Sequence, residues 1–230
     1  VINILGDPKH PDFPDMAIVV ADASNLKRNL LLFSQVRDLG IPTVLALNMI
    51  DVAENEGYVI NSIKLARELN VEVAEVNAKK GIGLNGLKLS VVKTLQNRFA
   101  SNDALPLPIS EDLIQDIQAE FGEAEPYRSL LWLMEHDRMK MFSKKQCEVL
   151  DAIQNKHQFS GKKYQSQETV KRYEQITEVV DRCVINLNRQ WDAPPVRTWT
   201  DRLDKFFLHP VGGYVFFLAI LFVMFQAVFT

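Results

Sequence analysis

Asn48 and Asp51, three residues apart at the end of an apolar run, are the side chains in this sequence best suited to chemistry. A carboxylate accepts hydrogen bonds on two parallel oxygens, and an amide offers a donor and an acceptor side by side. Held at a strand end, such a pair reads a planar heterocycle that presents two adjacent N–H donors. Guanine presents them, through N1–H and its 2-amino group, and adenine does not. A buried carboxylate facing the wrong base would go unpaired, which makes the discrimination strong. The same spacing also suits a plain helix start, with Asp51 capping the turn that follows.

The elements around the pair must position it. Thr43 to Leu47 is a continuous apolar run after Ile41-Pro42, the pattern of a central parallel strand buried on both faces. In such sheets ligands bind beyond the carboxyl ends of the strands, where Asn48 and Asp51 lie. Upstream, Met16–Ala21 reads as a second buried strand, with Ser24 as N-cap of a helix over Asn25–Leu39 and Gly40 as its stop. That helix places Leu26, Leu30, Phe33 and Val36 on one side. Downstream come a helix over Asn61–Leu69 (Ile63, Ala66 and Leu69 inward), a strand over Val71–Val76, and a helix over Leu84–Phe99 (Leu87, Val91, Leu95 and Phe99 inward). Strand and helix in strict alternation predict a doubly wound α/β domain.

The third strand opens into Asn77-Ala78-Lys79, at the tip beside Asn48. A residue as small as Ala78 lets its backbone N–H approach a base oxygen, and Asn77 can brace the turn. Asn48, Met49, Ile50 and Asp51 with Asn77, Ala78 and Lys79 therefore form the candidate base-binding set, with Lys79 and Lys80 expected along the solvated loop edge. This order of elements is similar to the base-reading loops of P-loop GTPases, where Ser or Thr usually stands at the position of Asn77. No G-x-x-x-x-G-K-[ST] and no D-x-P-G occurs in the 230 residues. Phosphate and Mg²⁺ contacts are thus expected from residues upstream of Val1, and no residue for hydrolysis can be named.

Composition fits more than one ordered core: 47% hydrophobic, 24% charged, net charge −3, with no basic patch for a nucleic acid. Cys147 and Cys183 lack the spacing of a disulfide scaffold or a zinc site. Glu120 and Glu123 read as a solvated helix end rather than a metal clip, and His10, His136 and His157 have no partners at ligand spacing. Residues 101–109, with Pro106 and Pro108, read as a linker. An all-helical spacer domain follows over 110–193, with helices at Glu111–Phe121, Pro126–Glu135, Lys144–His157 and Glu168–Gln190. The last puts Val170, Tyr173, Ile176, Val180, Cys183 and Leu187 along one side. Residues 194–210 read as an interfacial segment. From Val211 to Thr230 there is no charge, and twenty residues at about 1.5 Å each suffice for one transmembrane helix. Arg197, Arg202 and Lys205 before it place residues 1–210 on the cytoplasmic side of the lipid bilayer. A start at Val1 and an end inside the apolar run are expected of a fragment, in which residues 1–100 are the C-terminal part of a G domain.

Three stretches resemble the ferrous iron transport protein B family. They are Val20-Ala21-Asp22-Ala23-Ser24-Asn25-Leu26-Lys27-Arg28-Asn29-Leu30, then Leu45-Ala46-Leu47-Asn48-Met49-Ile50-Asp51, and Asp201-Arg202-Leu203-Asp204 leading to His209-Pro210-Val211-Gly212-Gly213-Tyr214. The resemblance implies a GTP/GDP-binding GTPase domain, a helical spacer that tunes nucleotide release, and a multi-pass domain that carries Fe²⁺ across a bacterial inner membrane. It implies as partners the remaining transmembrane domain, small Feo accessory proteins and further copies of the chain. Met49 stands where most GTPases carry Lys; a thioether fills that space without a cation, so faster nucleotide release is expected. The alternative is a membrane-anchored GTPase switch without transport.

Overall fold

β2 (Thr43–Asn48) is the centre of the molecule: its first five residues are all buried, as an apolar run without polar interruptions demands. The structure, a computed structural model, describes residues 2–97, 110–122, 125–187 and 212–229. β1 (Ala17–Asp22) and β4 (Glu72–Glu75) flank β2 in the order β1-β2-β4, both pairing parallel to it. Leu45 and Leu47 point into a cluster with Leu26, Leu30 and Phe33 of α2 (Leu26–Asp38) and with Leu65 and Leu69 of α4 (Ser62–Leu69). Val44 and Ala46, equally buried, point to the opposite face, as alternation requires; there α5 (Leu84–Asn97) lies against β2 and β4. The parallel α/β sheet with helices on its faces is thus the expected architecture. Gly40, at φ +75°, ends α2 as anticipated.

Several expectations are corrected. β1 buries only the face that α2 covers; Ile18 and Val20, on the other face, are exposed. The turn after β1 is capped by Asp22, which accepts from the Ser24 N–H, rather than by Ser24. α4 turns Leu65 and Leu69 inward and leaves Ile63 exposed. α5 buries Ser90 and Thr94 and exposes Leu95, and the Ser90 hydroxyl meets Glu72 at 3.4 Å; small side chains let a helix lie close to a strand. Elements too short to show a full period carry no sequence signal: α1 (Ile2–Leu5), α3 (Ile50–Asn55), β3 (Tyr58–Ile60) and β5 (Val184–Asn186), the last two pairing in a sheet of their own.

The helical half is built on α6 (Glu111–Phe121), α7 (Pro126–Glu135) and α8 (Lys144–Lys156). Pro126 opens α7, and Ser143 with Gln146 forms a capping box at the start of α8. Phe121, Trp132 and Phe142 meet edge to face, and Leu113, Ile117, Leu130, Leu133 and Leu150 complete the core around them. His136 is buried there with Nε2 at 3.1 Å from Asp151, a core histidine.

α9 (Gly161–Cys183) begins earlier and ends sooner than its apolar pattern suggests, and its buried stripe differs too. Tyr164, Glu168, Arg172, Ile176, Val180 and Cys183 face inward, while Val170, Tyr173 and Leu187 are exposed. Its C-terminal half closes the cluster of α2 and α4, and its middle carries charges into it. Arg172 Nη1 donates to Asp38 Oδ2 at 2.6 Å, its Nε donates to Glu168, and its guanidinium lies 5.0 Å above the Tyr127 ring. Burial opposes the charge on Arg172, but Asp38 and Glu168 outweigh it and push its pKa up. Burial, reinforced by Glu168, raises the Tyr127 phenol to about 12. Residues 1–185 pack as one unit.

Residues 186–230 form a second unit, which contains α10 (Gly212–Phe229). Its 18 residues reach about 27 Å. Among the described residues no helix is long and apolar enough to cross a membrane. The expected span begins at Val211 and ends at Thr230, both outside the described residues. The linker 101–109, the interfacial segment 194–210, Phe99 and Glu123 also lie outside them.

Candidate functional site

The loop after β2 turns on a single residue. Met49 takes φ 61° and ψ 33°, the left-handed region, which costs an unbranched L-residue about 1–2 kcal/mol. That turn lets α3 start at once, with Asp51 in its first turn and Ile50 packed against the core cluster. Ile50 is thereby a packing residue. Met49 is the N-cap of α3, and no side chain caps that end. Asp51 spends its carboxylate elsewhere, so the helix-cap alternative is set aside.

The loop after β4 folds back tightly to meet it. The ladder runs one step further, with Val76 N–H donating to Leu47 O at 2.8 Å. Asn77 and Ile82 then exchange both backbone bonds, at 2.9 and 3.2 Å, closing a short antiparallel bridge. Gly81 and Gly83 take φ +68° and +81°. A Cβ on Gly83 would lie 2.0 Å from Glu75 O, so only glycine fits there. The Asn77 side chain caps this loop, its Oδ1 accepting the Lys80 N–H at 3.0 Å.

Two bonds tie the loops together. The Ala78 N–H donates to Asn48 Oδ1 at 3.2 Å, and Asn77 Nδ2 donates to Asp51 Oδ2 at 3.0 Å. A carboxylate only accepts and a backbone N–H only donates, so the Asn77 amide has one possible orientation. Lys80 Nζ also reaches Asp51 Oδ2, at 3.5 Å, where the sequence predicts a purely solvated lysine. Lys79 is exposed at the loop edge, as expected. Asn48, Met49, Asp51, Asn77, Ala78 and Lys79 thus gather at one end of the sheet, and among the described residues no hydrogen bond engages Asn48 Nδ2 or Asp51 Oδ1.

Sequence reasoning missed Asp22, which pairs in register with Asn48 at the next strand tip. Its Oδ1 accepts from the Ser24 N–H and hydroxyl at 2.9 and 2.8 Å, and its Oδ2 from Asn25 at 3.4 Å. Slight burial opposes its charge, but these donors win and hold the carboxyl below the usual range. The signal was present as Asp-Ala-Ser-Asn, a side chain followed by donors to fold onto it. Among the described residues no three or more His, Cys, Asp or Glu side chains cluster to hold a metal.

The parallel sheet with its N-x-x-D and N-A-K loops cross-bonded at adjacent strand tips resembles the fold of a P-loop GTPase G domain. Residues 10–91 match the family model "Ferrous iron transport protein B". A relative from Leptospira biflexa, "Fe(2+) transporter FeoB", is 30% identical over 94% of this chain and 32% of its own length. The solved cytosolic domain of L. pneumophila FeoB superposes with a TM-score of 0.59 at 26% identity, covering 76% of this chain and 70% of that one. NFeoB from S. thermophilus, bound to mGMPPNP, gives 0.52 at 25% identity over 75% of this chain and 68% of that one. The chain spans a third or less of the first curated relatives it matches, 32% of one, 15% of the next and 11% of a third.

Proposed function

We propose that this chain carries the guanine-reading half of the G domain of a bacterial inner-membrane ferrous-iron transporter, in which GTP binding and hydrolysis gate or drive uptake. The observation that carries this is the pair of cross-loop bonds, Asn48 to Ala78 and Asp51 to Asn77. They hold a carboxylate oxygen and an amide donor in one frame at the end of a parallel sheet. The relatives are named as Fe(2+) transporters, and a structural neighbour is bound to mGMPPNP, which supports both halves of the reading. In this reading Asp51 takes guanine N1–H and the 2-amino group, Asn48 faces N7, and the Ala78 N–H exchanges its bond to Asn48 Oδ1 for guanine O6.

Mg²⁺ does not fit the residues present: the chain has no phosphate-loop Ser or Thr and no D-x-P-G aspartate. Phosphate binding and hydrolysis are therefore assigned to residues beyond these 230. Fe²⁺ is cargo for a membrane domain that the charge-free stretch from Val211 to Thr230 is proposed to begin. Ferrous-iron uptake into vesicles holding the full-length protein should require GTP on the Asp51 side of the membrane. Uptake indifferent to nucleotide, or served equally by ATP, overturns the proposal.

The 230-residue chain alone is expected to bind GDP negligibly. The base loops supply a few hydrogen bonds of roughly 0.5–1.5 kcal/mol each, against an association cost of about 4 kcal/mol or more. Calorimetry on the detergent-solubilised chain should show no saturable heat; a micromolar Kd would mean the phosphates are held by residues already present.

A further inference from the structure

The carboxylate that would read guanine is already half engaged by its own protein. Asp51 Oδ2 receives Asn77 Nδ2 at 3.0 Å and Lys80 Nζ at 3.5 Å, whereas Oδ1 has no partner among the described residues. A carboxylate oxygen offers two lone-pair directions. On Oδ2 two donors of the base loop already converge. Guanine presents two parallel N–H groups and needs one oxygen for each. The first can take Oδ1 without displacing anything. The second must share Oδ2 with a group already there.

Asn77 is the fixed occupant. Its own Oδ1 is bonded to the Lys80 N–H, and the bridge from Asn77 to Ile82 closes the loop around it. Lys80 is the loose one: its contact is the longer, and its side chain is 60% exposed on a four-carbon stem. We infer that Lys80 is an intramolecular competitor for Asp51, a specificity-determining residue that weakens the hold on the guanine 2-amino group and speeds nucleotide release. The inference rests on the guanine site proposed above. Guanine binding displaces the ammonium into water, and an exposed ion pair contributes little, so the effect is a graded tuning of affinity.

Inosine diphosphate separates this role from any other. It lacks the 2-amino group, makes its single N1–H bond on Oδ1, and has no need to move Lys80. Simple attraction between Lys80 and the phosphates, or a change in loop stability, would act on both nucleotides alike. The experiment measures dissociation rates and competition of GDP and IDP on the full-length protein, wild type against Lys80→Met and Lys80→Arg. Lys80→Met should slow GDP release and raise the GDP-over-IDP preference by about two- to fivefold, with IDP unchanged. Lys80→Arg, which keeps the charge and its donors, should stay near wild type. A preference that is unchanged or lower in Lys80→Met overturns the inference. Asp51→Asn is the control for the site itself: if it leaves the GDP-over-IDP preference intact, the guanine reading fails whatever Lys80 does.

Discussion

Arg172→Ala is expected to lower the unfolding free energy of the residue 1–185 unit by about 3–5 kcal/mol, the usual cost of removing one partner from a buried ion cluster. The Arg172, Asp38 and Glu168 side chains are 2%, 0% and 7% exposed, so water cannot replace the lost cation. Asp38 keeps a second, weaker partner, since Arg37 approaches its Oδ1 at 3.4 Å. Glu168 pairs with no other cation among the described residues and would carry most of the penalty. The Tyr127 ring also loses the cation stacked on it. Because the cluster joins α2 to α9, hydrogen exchange should quicken first in the middle of α9. The combined variant Arg172→Met, Asp38→Asn and Glu168→Leu removes all three charges and should regain most of the loss. Urea unfolding monitored by circular dichroism checks both; a loss below about 1 kcal/mol for Arg172→Ala would show that the cluster is not closed to water.

That cluster is also where the sequence misleads. The i, i+4 spacing of Tyr164, Glu168, Arg172, Ile176 and Val180 is a regular helical stripe, but a reading by hydropathy discards its two charged members. It chooses Val170 and Tyr173 instead, and so rotates the helix and shortens its start. Charges are buried here because their partner, Asp38, lies 134 residues away in sequence, a separation no local pattern reports. α5 misleads in the same way: Ser90 and Thr94 go inward because they are small, and hydropathy ranks Leu95 above them. β2, by contrast, is legible in full, since a strand buried on both faces needs no knowledge of its neighbours. The base loops lie between these extremes. Residue type placed Asn48, Asp51, Asn77 and Ala78 correctly at the strand tips, but the partner of Lys80 depends on a turn closed by two glycines at positive φ.

Asp51→Asn in the full-length protein should shift base preference from guanine toward xanthine. In the proposed site both Asp51 oxygens accept, one from N1–H and one from the 2-amino group. An amide at position 51 turns one acceptor into an NH₂, which then faces another donor with no bond possible between them. Xanthine carries a carbonyl where guanine carries the amine, and the new NH₂ can donate to it. Losing a charge-assisted pair and gaining a mismatch costs roughly 3 kcal/mol, or about a hundredfold in GDP affinity. The substitution also disturbs the protein's own bonds, since Asn77 Nδ2 and Lys80 Nζ both point at Oδ2. If the new amide presents its oxygen to Asn77, that bond survives and the NH₂ turns toward the ligand, the orientation that xanthine needs. GTP-dependent iron uptake should fall in step with GDP affinity, while thermal unfolding stays near wild type because Asp51 is half exposed. Competition of GDP against XDP on wild type and variant gives the answer. A variant that still prefers GDP would reduce Asp51 to an anchor for the Asn77 loop, and the guanine assignment would fall with it.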